Sequence, residues 1–139
     1  MANFKIVVSD PKTRKAYQKE VEQGASGLVG RKMGETVKAD FLGLPGFEMR
    51  ITGGSDKEGF PMRADVEGPG RKRIVLAGGV GFHSQRKGQR KRKGVRGNIV
   101  STDTVQINAV VVKAGTAQIE QVLGKPKEEK KEEQPEKKE

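Results

Sequence analysis

Val105-Gln106-Ile107-Asn108-Ala109-Val110-Val111-Val112 starts by alternating apolar and polar residues and ends wholly apolar. Alternation sends successive side chains to opposite faces of a strand, and its loss predicts a strand whose end passes into a core. Upstream, Phe4-Lys5-Ile6-Val7-Val8 is equally rich in β-branched residues, and Ser9-Asp10-Pro11 then breaks it. That predicts a strand and a turn, with Lys15 to Val21 as the hairpin partner because Tyr17 and Val21 lie at even spacing. In Glu48-Met49-Arg50-Ile51-Thr52, Met49 and Ile51 share a face, and Arg73 to Ala77 reads as a further short strand. Gly30 to Asp40 is ambiguous: Gly34 interrupts a helix, whereas Thr36-Val37 favours a strand. Gln118 to Leu123 reads as one helical turn.

Nineteen glycines punctuate these runs, and no segment sustains a 3.6-residue apolar period for three turns. Short strands divided by glycine turns predict a mainly β chain, a small β-barrel that is closed or partly open. From Gly124 the sequence is GKPKEEKKEEQPEKKE, without an aliphatic or aromatic residue. Such a stretch buries too little apolar surface to offset the entropy of ordering it, so 124–139 is expected to be a disordered charged tail. Residues 1–123 then form a single domain. With no cysteine in the chain, disulfides and thiolate metal sites are excluded. The opening MANFKIVVSD lacks the basic start and apolar run of a signal peptide. The longest uncharged apolar stretch, Ile74 to Phe82, is nine residues with three glycines, too short to cross a bilayer. The expectation is a cytosolic protein with no membrane association.

The formal charge of +10 has a single origin. Between Arg71 and Arg96 lie ten cations, Arg71, Lys72, Arg73, Arg86, Lys87, Arg90, Lys91, Arg92, Lys93 and Arg96, and no carboxylate. Removing those ten from the 28 basic residues leaves 18, matched by 18 acidic residues elsewhere. Charge selected for solubility would be scattered with both signs mixed; one sign gathered in one segment marks a polyanionic partner. Six of the ten are arginine, against four of 18 elsewhere. Arginine offers a planar fork to phosphate and stacks on bases, which favours RNA over a nonspecific localisation-type or heparin-type basic run. Gly88, Gly94 and Gly97 argue against a continuous basic helix, so Gln85 to Gly97, within the basic segment 71–97, is expected to be an extended loop or arm.

Ile51-Thr52-Gly53-Gly54-Ser55-Asp56-Lys57-Glu58-Gly59-Phe60-Pro61-Met62 does not fit a P-loop, which needs Gly-Lys followed by Ser or Thr. A phosphate cradle is one reading. The favoured one is a structural loop built by Gly53, Gly54, Asp56, Gly59 and Pro61, the glycines at positive φ, Asp56 closing the turn, and Lys57 at the tip as a phosphate contact. His83, the only histidine, has no acid between Arg71 and Arg96 to orient it as a base. It suits stacking or hydrogen bonding to RNA, or is a plain surface histidine. Asp and Glu elsewhere lack metal-ligand spacing, and Gly79-x-Gly81 is too short a fragment to indicate a dinucleotide. No catalytic residue, metal, cofactor or small-molecule substrate is expected.

The block Ile51 to Met62 resembles the signature of the S-six family of ribosomal proteins, eukaryotic and archaeal type, which is unrelated to the bacterial protein of that number. Arg86-Lys87-Gly88-Gln89-Arg90-Lys91-Arg92-Lys93-Gly94-Val95-Arg96-Gly97 is similar to the family's second hallmark, a glycine-spaced basic run ending in Val-Arg-Gly. The similarity runs from Phe4 to about Leu123. It implies a β-barrel-like domain in the body of the small ribosomal subunit, with ribosomal RNA and neighbouring ribosomal proteins as partners and no enzymatic activity. Eukaryotic members carry a long basic C-terminal helix with phosphorylated serines; here no Ser or Thr follows Thr116, so the chain looks like the short archaeal form. A free-standing nucleic-acid-binding regulator and an enzyme using the Gly-rich loop are the competing classes.

Overall fold

A computed structural model describes residues 2–124. In chain order the strands are β1 (Asn3–Asp10), β2 (Lys15–Glu22), β3 (Thr36–Lys38), β4 (Glu48–Asp56), β5 (Arg71–Leu76), β6 (Lys91–Arg96) and β7 (Thr104–Lys113). Two short helices, α1 (Gln23–Ser26) and α2 (Ile119–Leu123), and a 3-10 turn at Asp40–Leu42 complete the described elements. Met1 and residues 125–139, which hold nearly all of the expected tail, lie outside them.

Five strands form one sheet in the order β2-β1-β7-β4-β3, and β5 pairs with β6 in a second sheet. The larger sheet curls into a half-barrel instead of closing. β1 and β2 pair in register from Asn3 opposite Glu22 to Asp10 opposite Lys15. Their turn is tied by Asp10, whose carboxylate accepts from the Lys12 amide and the Thr13 hydroxyl, both at 3.0 Å. β7 then lies parallel to β1, with Ile6 opposite Ile107, and antiparallel to β4, with Ile51 opposite Ala109. The first and last strands thus lie side by side in the sheet.

Alternation determines what each strand buries. Phe4, Ile6 and Val8 of β1, Met49 and Ile51 of β4, and Ile107, Ala109 and Val111 of β7 share one core. Leu42, Leu44 and Phe47 close it from the Asp40–Phe47 connection, and Leu28 and Val100 close it from loops. The apolar end of β7 does not become buried on both faces as expected. Alternation continues to the end, with Val111 in the core and Val112 at 60% exposure. The curled sheet has only one covered face, so the β-branched residues on the other face serve strand propensity more than burial.

Two further expectations change. Gly53 and Gly54 lie inside β4, not in a loop, and of the five residues expected to form that loop only Gly59 adopts positive φ, at 88°. A Cβ on Gly54 would stand 2.3 Å from the Gln106 carbonyl oxygen, so glycine is required there by close approach of β7. Nor is the whole of Gln85 to Gly97 a loop or arm. Lys91–Arg96 is a strand, paired antiparallel along its whole length with Arg71–Leu76. This ribbon has its own small cluster, Val66, Leu76, Phe82 and Val95, with Ile74 packed against it. The isolated bridges Ser55 to Pro61 and Met62 to Arg96 connect it to the end of β4.

Candidate nucleic-acid interface

β4 ends on Asp56, and this carboxylate orients the basic ribbon. Its side chain is wholly buried. Oδ1 accepts the amides of Glu58 and Phe60 at 2.9 and 3.0 Å, which closes the turn 56–60. Oδ2 accepts Nε–H of Arg71 at 2.7 Å and Nε–H of Arg96 at 3.1 Å. Those arginines sit directly opposite each other on β5 and β6, so one carboxylate pins both strands of the ribbon. Burial alone would push the Asp56 carboxyl up. The hydrogen bonds from Arg71, the Phe60 amide, Arg96 and the Glu58 amide outweigh that and hold it below the usual carboxylate range.

Arg96 is 5% exposed and spends its remaining donors on the Pro69 carbonyl at 2.7 Å and the Ser101 hydroxyl at 3.0 Å, with Asp103 at 3.7 Å. Arg71 also binds Glu58, and its guanidinium lies 4.6 Å from the centroid of the Phe60 ring. Of these two expected RNA contacts, Arg96 is buried as a support of the ribbon, whereas Arg71 braces the ribbon through Asp56 and stays partly exposed. Lys57 is exposed and lies 3.5 Å from Asp103, so its charge is partly answered.

The other cations of the segment behave differently. Lys72, Arg73, Arg86, Lys87, Arg90, Lys91 and Arg92 are exposed and Lys93 is half-buried. None has a carboxylate within 4.0 Å among the described residues. They occupy the ribbon and the connection 77–90, where Gly79, Gly81 and Gly88 take positive φ. Phe82 anchors that connection in the small cluster, and the Gln85 amide donates to the Gln89 side chain at 3.0 Å. His83 is exposed and borders a hollow of about 330 Å³ together with Gln85, Gln89, Lys91 and Lys93. The arrangement concentrates positive charge on a supported surface, which suits phosphate contacts that set register and position.

Sequence reasoning missed Arg63. It donates to the Val80 carbonyl at 2.8 Å and forms a two-point contact with Asp65 at 2.8 and 2.7 Å, holding the start of the 77–90 connection. Its Arg-x-Asp spacing was the one local signal. Among the described residues no group of three His, Cys, Asp or Glu is placed to hold a metal ion, and no helix is long and apolar enough to cross a membrane.

Comparison with known proteins agrees with the two sequence blocks. The family model for ribosomal protein S6e matches residues 4–124. The small ribosomal subunit protein eS6 of Archaeoglobus fulgidus is 51% identical over 128 residues, covering 91% of this chain and 98% of that protein. Those of Methanoculleus marisnigri and Methanocaldococcus jannaschii are 44% and 45% identical, covering 91% and 89% of this chain and 96% and 93% of theirs.

Proposed function

The chain belongs to the ribosomal protein S6e family, and from that premise we propose that it is a structural constituent of the small ribosomal subunit that binds ribosomal RNA through the β5–β6 ribbon and the 77–90 connection. In this reading it is cytoplasmic within the subunit, has neighbouring ribosomal proteins as partners and performs no catalysis. The observation that carries the reading is the set of eight cations without a carboxylate neighbour among the described residues, Lys72, Arg73, Arg86, Lys87 and Arg90 to Lys93, on the 77–90 connection and on the ribbon that Asp56 braces from inside.

The mechanism is electrostatic. Each cation that neutralises a phosphate releases condensed counterions, and the half-barrel fixes where the cations stand. Residues 1–123 act as one unit, with 71–97 as its RNA-facing segment and 124–139 as a charged tail. His83 and Lys57 lie at the margins of the contact surface. Gly53, Gly54, Asp56, Gly59 and Pro61 shape the join between half-barrel and ribbon. The test is co-sedimentation of the full chain with small subunits through a high-salt cushion. Retention at stoichiometric level is expected, and loss to the supernatant would favour a free-standing regulator.

A further inference from the structure

Directly opposed residues of an antiparallel pair share a face. In the ribbon the pairs Arg71–Arg96, Arg73–Gly94 and Val75–Arg92 therefore look to one side, and Ile74, Leu76 and Val95 look to the other, where they meet Val66 and Phe82. The first side has a gap at Gly94, and the half-buried Phe60 ring enters it. A Cβ on Gly94 would stand 3.0 Å from Phe60 Cε1. The Arg71 guanidinium, held by Asp56, lies against the same ring. Over this pair opens a hollow of about 450 Å³, bounded by Phe60, Arg71, Arg73, Arg92 and Gly94. Val75 lies on the same side at 55% exposure. Among the described residues no carboxylate borders the hollow.

A site for phosphate alone has no use for an aromatic floor, and a site for an apolar group alone has no use for a rim of cations. A planar apolar group attached to phosphates satisfies both, and in RNA that is a nucleotide whose base is free of its stack. We propose that this hollow seats one unpaired nucleotide of the bound RNA, its base stacked on the Phe60–Arg71 pair and its phosphates beside Arg73 and Arg92. The proposal rests on the RNA-binding reading above and adds the kind of RNA feature recognised.

The test uses the full chain and three RNA hairpins with identical stems: fully paired, with one bulged 2-aminopurine, and with one bulged abasic site. Stacking of one base on an aromatic platform is worth about 5- to 150-fold in affinity. The 2-aminopurine bulge is therefore expected to bind at least about 5-fold tighter than either control, with its emission quenched on binding. Phe60→Leu should bring the three affinities together while leaving the salt dependence unchanged, and Phe60→Tyr should restore the preference. Equal binding of the three RNAs by the unaltered protein overturns the proposal without any variant, as does a preference that survives in folded Phe60→Leu. Failure to bind any of the three at low salt overturns the RNA-binding reading itself, and this proposal with it. Phe60-dependent capture of an acidic, tryptophan-containing peptide without a bulge preference would assign the hollow to a protein partner instead.

Discussion

Replacing Asp56 by Ala removes the acceptor of four hydrogen bonds in one step, those of the Glu58 and Phe60 amides and of the Arg71 and Arg96 guanidinium groups. Arg96 is the costly member, because at 5% side-chain exposure it has no water to turn to. Breaking a buried pair by removing one partner typically costs about 3–5 kcal/mol. Arg96 retains Pro69, Ser101 and the longer contact to Asp103, and Arg71 is about one-third exposed and keeps Glu58, so the lower end applies. The expected loss is about 3 kcal/mol, on the order of 10 °C in Tm for a domain of this size. Asp56→Asn keeps the amide acceptor but turns a donor or a neutral oxygen toward two guanidinium groups, and should fall between the two. The pH dependence supplies a second reading. The folded pKa of Asp56 is depressed, so its contribution is fully present above the unfolded value and is lost as pH falls through the folded one. The unaltered protein should therefore lose stability progressively below about pH 4, and Asp56→Asn should show a shallower decline. Urea unfolding at several pH values measures both. A loss under about 1 kcal/mol for Asp56→Ala, or parallel acid profiles for protein and Asn variant, would refute the view that this carboxylate braces the ribbon.

Three further outcomes are expected. Gly54→Ala should cost about 1–3 kcal/mol by forcing β4 from β7, whereas Gly53→Ala, whose nearest contact is the Met33 methyl at 3.8 Å, should change stability by less than about 1 kcal/mol; equal effects in denaturant melts would remove the close-approach argument. If about five phosphates are neutralised, log affinity for a ribosomal RNA fragment should fall against log salt with a slope of roughly −3.5 to −4.5. Replacing Arg90, Lys91, Arg92 and Lys93 by Ala should cut that slope by about half, and replacing Lys5, Lys12, Lys15 and Lys19 should move it by less than about one unit; matching changes would show that affinity is spread over the surface. Truncation after Gly124 should leave the thermal midpoint unchanged, since 125–139 contains no aliphatic or aromatic residue to bury, and a drop of several degrees would show that it docks.

Strand content was legible wherever alternation and β-branching coincide. β1, β2, β4 and β7 all begin within a few residues of where Phe4, Lys15, Glu48 and Val105 suggested. β6 was not, because Lys-Arg-Lys-Gly-Val-Arg offers a single apolar residue, Val95, and no local period; it is a strand by virtue of β5 beside it. The charge concentration in 71–96 and the two family-like blocks needed no coordinates, since each is a property of linear order.

Tertiary structure alone decided how those charges divide. Arg71 and Arg96 are indistinguishable in sequence from Arg73 and Arg92, and all four lie on one side of the ribbon, yet only the first two, at its Asp56 end, meet a buried carboxylate 15 and 40 residues away. The same holds for Gly54, whose need is a carbonyl 52 positions distant, and for the parallel pairing of the first and last strands, β1 and β7. Local pattern records which face a side chain takes and how much charge a segment carries. It does not record which distant group will stand opposite, because that depends on register and sheet order, and these are set by the packing of the whole core.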